Sequence, residues 1–96
     1  MINTNLNFSE HSRKRMQQRG ISDKAVHYLL DYGEIHYDGH GGNVFSLNRF
    51  ERKMLISDIG SKELKRIRKQ LDSYVVVGNN SNTVITVGHK IKRRKK

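Results

Sequence analysis

Apolar residues change their spacing several times along the chain, and each change marks an element. The stretch FSEHSRKRMQQRG is polar apart from Phe8 and Met16. Ser9 suits an N-cap, Glu10 places an acid in the first turn, and Gly20 can take the left-handed stop, so a helix is predicted to about Arg19. Ser22 and Asp23 open a second helix, whose stripe is Val26, Leu29 and Leu30 and which ends at Gly33. In EIHYDGHGGNVFSLN the period falls to two around the turn Asp38–Gly42, which predicts a β-hairpin. Helical spacing returns at Phe50, Met54, Leu55 and Ile59. Ser61 then caps a further helix with Leu64, Ile67 and Leu71 on one side. Tyr74–Gly78 reads as an interior strand with Val76 in the core. Asn79–Asn82 is a turn, and Thr83–Ile91 closes the sheet.

The predicted order is ααββααββ, an α+β domain with a four-stranded antiparallel sheet packed by helices. Residues 8–91 form one domain. Residues 1–7 are expected to be a flexible N-terminus, and 92–96 a basic, disordered tail.

Charge sharpens this picture. The 96 residues carry a net charge of +10. Residues 1–60 hold 8 Lys and Arg against 7 Asp and Glu, whereas residues 61–96 hold 11 against 2. Positive potential concentrated in one half favours a polyanionic partner. No apolar helix face accompanies the basic tail, so nucleic acid is expected rather than a membrane surface. There is no cysteine, which excludes disulfides and thiolate metal sites. The polar start MINTNLNFSE lacks the apolar region of a signal peptide, and a cytoplasmic location is expected.

Three groups could carry chemistry. On the first helix His11, Arg15 and Gln18 share a face with Arg19 beside them, while Ser12 and Met16 point elsewhere. A solvated charged face is the plain alternative. On the last strand Ile85, Val87, His89 and Ile91 are expected on one face, with Val84, Thr86, Gly88 and Lys90 on the other. His36, Asp38 and His40 lie across a strand and a glycine turn, without the further ligands that zinc would need, so no metal is expected. No phosphate-binding glycine loop followed by Lys-Ser or Lys-Thr occurs, and no cofactor is implied.

HSRKRMQQRGIS, the helix ending in YGEI, the strand GGNVFSL and the final YVVVGNNSNTVITVGHK together resemble a family of small bacterial and phage domains of formerly unknown function. That family is grouped with the barnase, EndoU, colicin and RelE ribonuclease-toxin fold. The likeness spans about Phe8 to His89. It implies an RNA-directed site built from the first helix and last strand, pointing to His11, Arg15 and Thr86, with Arg19 and His89 beside them.

The expected activity is metal-independent cleavage of RNA by its own 2′-hydroxyl, in the manner of the toxin of a toxin–antitoxin pair. His11 is then the base, Arg15 and Arg19 the charge stabilisers, Thr86 an orienting hydroxyl and His89 the acid. Lys14, Lys65, Arg66, Lys69, Lys90, Lys92, Arg93 and Arg94 are expected to hold the phosphate backbone. RNA is the expected partner, with an acidic antitoxin or immunity protein as a second. A non-catalytic nucleic-acid-binding module, or a phage-type inhibitor docking on an acidic protein, fits the same charge. With 4 Tyr, 3 Phe and no Trp, base stacking is not strongly advertised.

Overall fold

Ser9 and Gly20 bound the first helix as the sequence requires. In the computed structural model, which describes residues 6–79 and 82–90, the Ser9 side chain accepts from the Ser12 backbone N–H, and Gly20 sits at φ 67°. Helix α1 runs Glu10–Arg19 and α2 runs Asp23–Tyr32 behind its own Ser22 cap. Strands β2 (Glu34–Tyr37) and β3 (Gly42–Ser46) form the predicted hairpin. Its turn is held by Asp38, whose carboxylate accepts from the backbone N–H groups of His40 and Gly42 at 2.6 and 3.0 Å. These bonds favour the charged form and lower the pKa of Asp38.

Asn48 opens helix α3 (Arg49–Ile67) with a reciprocal capping box to Glu51. The two helices expected on either side of Ser61 form this one element, broken at Gly60. There φ is 82° and ψ 168°, a conformation essentially restricted to glycine. A 3₁₀ turn, Arg68–Leu71, leads into β4 (Ser73–Gly78), and β5 (Thr83–His89) follows.

The sheet differs from expectation. It has five strands, because Asn7–Phe8 forms a short strand, β1, parallel to β5. The strand order is β1-β5-β4-β3-β2, so the sheet is mixed and the element order begins with a strand. Two residues are too short to show a period of two. Tertiary bonds hold this strand, from Asn7 N–H to the Asn82 carbonyl and from Ser9 N–H to the Val84 carbonyl. Asn7 therefore belongs to the sheet and Leu6 packs against the core, while residues 1–5 of the expected loose N-terminus lie outside the described residues. The expected tail, with Lys92, Arg93 and Arg94, and Ile91 before it, also lie outside them.

The helices cover one face of the sheet only. The core is Met16, Ile21, Ala25, Val26, Leu29, Leu30, Leu47, Leu55, Ile67, Leu71, Val75, Val84 and Val87. Each fully buried leucine or valine among them contributes about 1.5–3 kcal/mol. On β4 it is Val75 that enters the core, while Val76 is half-buried on the uncovered face. The expectation for Val76 is corrected by one residue, because an unbroken apolar run cannot reveal which parity faces the helices.

The faces expected for β5 are corrected too. Val76 pairs with Thr86 but Val77 pairs with Val84, so Ile85 is an extra residue. This bulge brings Val84 and Val87 to the same core, three positions apart, and leaves Ile85 exposed.

Candidate nucleic-acid interface

Helix α1 lies along β5. Its start is fixed by the Ser9 hydroxyl donating to the Ile85 carbonyl, 3.0 Å away. At its end the Arg19 carbonyl meets His89 Nε2 at 3.0 Å. Ser12 and Met16 are the buried row between them. A carbonyl oxygen only accepts, so in this contact His89 Nε2 is the donor. Across the ladder from His89 stands Ser73, fully buried, whose Oγ has no hydrogen-bond partner among the described residues.

Beside His89 the chain builds a cleft of about 610 Å³. Its walls are Arg19 and Gly20 from the end of α1, Lys65 and Arg66 from the last turn of α3, Arg68, Lys69 and Gln70 from the 3₁₀ turn, and His89. Gln70 ties this wall to α2, its Oε1 accepting from both the backbone N–H and the hydroxyl of Ser22. Buried Ile67 and Leu71 alternate with the cations and anchor the wall from beneath.

Five Arg and Lys side chains and a histidine line this cleft, and no acid does. Ion pairs among the described residues occur elsewhere: Arg13–Asp23, Lys24–Glu63, Glu34–His36 and Arg52–Asp72. Glu63 is the acid nearest in sequence to the cleft cations. Hydrogen bonds from Lys24 and Tyr28 lower its pKa, with a further attraction to Arg66. Crowded like charges raise the cost of the empty cleft, and an anion placed among them relieves it.

The other expected site residues are distributed around the fold. His11 and Arg15 face away from α2, since Arg13 on the opposite flank of the helix pairs with Asp23. His11 Nε2 accepts from Arg15 Nε at 3.4 Å, and with Glu10 and Lys14 His11 borders a smaller recess. Eight residues separate His11 from Arg19, about 12 Å along the helix axis. Thr86 pairs with Val76 on the sheet face that the helices do not cover. Lys90 is held by the scaffold: its Nζ donates to the Leu47 carbonyl and its backbone N–H to the Asp72 carbonyl.

The structure thus brings together Arg19, His89, Lys65, Arg66 and Lys69, and sets His11, Arg15 and Thr86 apart from them. Arg68 and Gln70 are additions. Both were visible in the run KRIRKQL, but helical spacing misplaces them because the helix tightens to a 3₁₀ turn at Arg68.

The family described as a domain of unknown function, DUF4258, matches residues 8–94. The chain belongs to the DUF4258 family. No curated protein and no solved structure matches it. The DUF4258 match takes in every wall of the cleft, from Arg19 to His89. Among the described residues no cluster of three or more His, Cys, Asp or Glu could hold a metal ion, and no helix is long and apolar enough to cross a membrane.

Proposed function

We propose that this DUF4258 chain binds RNA through the cleft beside His89 and cleaves it without a metal, as the toxin of a toxin–antitoxin pair. The observation that carries the reading is the convergence of Arg19, Lys65, Arg66, Arg68 and Lys69 on one histidine, whose Nε2 is tied to the Arg19 carbonyl. Such a cleft suits a phosphodiester. The cations hold the phosphate and offset the charge that builds on its oxygens in the transition state.

His89 Nδ1 takes the proton of the substrate 2′-hydroxyl. The 2′-oxygen bonds to phosphorus, the bond from phosphorus to the 5′-oxygen breaks, and water protonates the departing 5′-oxygen. The products are a 2′,3′-cyclic phosphate and a 5′-hydroxyl. In this scheme the proton work moves from His11 to His89, and Arg19 keeps its expected role. His11, Arg15 and Lys14 hold the RNA further along α1. An acidic antitoxin would silence the activity by occupying the same cations.

A second reading is a non-catalytic RNA-binding module. It is favoured by the separation of His11 and Thr86 from His89, which leaves one histidine at the cleft instead of two. Incubation of a labelled RNA with the parent and with His89→Ala separates the readings. Cleavage by the parent alone, with RNA retained by both, supports the enzyme. Retention without cleavage by either supports the module. If neither retains RNA, both fail, and an acidic protein partner becomes the reading to pursue.

A further inference from the structure

The sheet ends on opposite sides in opposite ways. β5 lies toward one edge with the basic cleft at its end, whereas β2 is the other edge strand. No Lys or Arg occurs between Lys24 and Arg49, so β2 and its hairpin carry none. This edge has neither proline nor lysine, and it exposes Ile35 and Tyr37, 57% and 62% accessible.

Its hydrogen bonding can be read from the hairpin. Asp38 N–H donates to the Gly42 carbonyl, so by antiparallel alternation His36/Val44 and Glu34/Ser46 are the bonded pairs. The backbone N–H and C=O groups of Ile35 and Tyr37 therefore point outward, with no partner strand among the described residues.

We propose that this edge pairs with β2 of a second copy, antiparallel about a two-fold axis through Ile35, joining the two sheets. Registers centred on Ile35 and on His36 both keep outward groups of the two strands in contact, and charge selects between them. With Ile35 opposite Ile35 of the second copy, each Glu34 faces a His36 across a close, non-hydrogen-bonded pair. Glu34 and His36 already approach to 3.4 Å within one chain, so the two pairs close into a ring of alternating acceptors and donors. Tyr37 then lies opposite Gly33, whose N–H stays with the Leu29 carbonyl, so that pair is joined through the Gly33 carbonyl alone and the Ile35 pair carries both of its bonds. The rival register sets His36 against His36 and Glu34 against Asp38, where the two carboxylates repel. The absence of basic residues from this edge is what lets two chains of net charge +10 approach there. Four residues a side is a small contact, so the dimer is reversible.

The chain has no cysteine, which makes the test direct. Full-length Ile35→Cys, His36→Cys and Ile85→Cys are freed of nucleic acid in high salt and exposed to a mild oxidant. The dimer brings two introduced thiols together only in the Ile35→Cys variant, which should cross-link to itself about tenfold or more faster than the other two. The parent should show a concentration-dependent dimer in sedimentation that Ile35→Lys removes, with its melting temperature kept. Equal cross-linking rates, faster cross-linking through His36→Cys, or a parent that stays monomeric at millimolar concentration would each overturn the proposal. A monomeric parent whose edge amides are protected from exchange only in the presence of a different protein would overturn it too, and would assign the edge to a foreign strand.

Discussion

His89 Nε2 donates a hydrogen bond to the backbone carbonyl of Arg19, 3.0 Å away, and this contact joins the last strand to the end of the first helix.

Replacing that ring tests the proposed chemistry. His89→Ala should lower the rate of RNA cleavage by roughly 10²–10⁴-fold, the usual loss when a positioned proton carrier is removed. RNA retention should stay near the parent's. His11→Ala should retain most of the cleavage and weaken RNA binding modestly. RNA with a 2′-deoxy residue at the scissile position should bind and survive, and EDTA should leave cleavage of ordinary RNA unchanged. A His11→Ala variant that loses all cleavage would return the base to the exposed row of α1.

The cleft cations should show themselves in salt dependence. Lys65→Ala with Lys69→Ala removes two cations from the cleft wall. The slope of log affinity against log salt should become shallower by about 1.4 for single-stranded RNA. Lys90→Ala should change the slope less, because Lys90 is not among the residues that line the cleft. It should lower stability instead.

Ser73 makes an opposite prediction. Its hydroxyl is buried with no hydrogen-bond partner among the described residues, so Ser73→Ala removes a desolvated group and loses no bond. Thermal unfolding should show a variant as stable as the parent or more stable by up to about 1 kcal/mol. A clear loss of stability would mean that the hydroxyl does find a partner in solution.

The two neighbouring valines of β4 should behave differently. Val75 is fully buried against the helices, while Val76 is half-buried on the uncovered face. Val75→Asp should abolish cooperative melting, because an unpaired carboxylate would enter the core. Val76→Asp should still fold, with its charge able to reach water. Unfolding of both would mean that the uncovered face is sealed in the native protein.

The hairpin turn predicts a dependence on acid. Backbone hydrogen bonds from His40 and Gly42 lower the pKa of Asp38 below its ordinary 3.8. Its stabilising effect is therefore complete above that value and is lost as pH falls through the lower value of the folded state. The parent should lose stability over that interval, and Asp38→Asn should lose less over the same interval. Melting curves between pH 5 and about pH 2 measure the difference.

Much of this fold is written locally, and those parts are legible in the chain itself. Ser9, Ser22 and Asn48 cap their helices through side chains that reach only three residues onward. Gly20 and Gly60 hold backbone angles that other residues avoid, and Asp38 ties its own turn. The basic character of the second half also follows from composition alone. What the sequence does not decide depends on contacts between distant segments. β1 exists because Asn7 and Ser9 find carbonyls at Asn82 and Val84. The bulge at Ile85 moves Val84 onto the face of Val87 because the ladder to β4 slips by one residue there. The grouping of candidate residues is tertiary as well. His11 and Arg19 sit on one helix yet serve different surfaces, while Arg19 meets Lys65, Lys69 and His89 from three other segments. Short-range hydrogen bonding is encoded within a few residues of where it acts. Which charges share a cleft is decided only when packing brings the elements together.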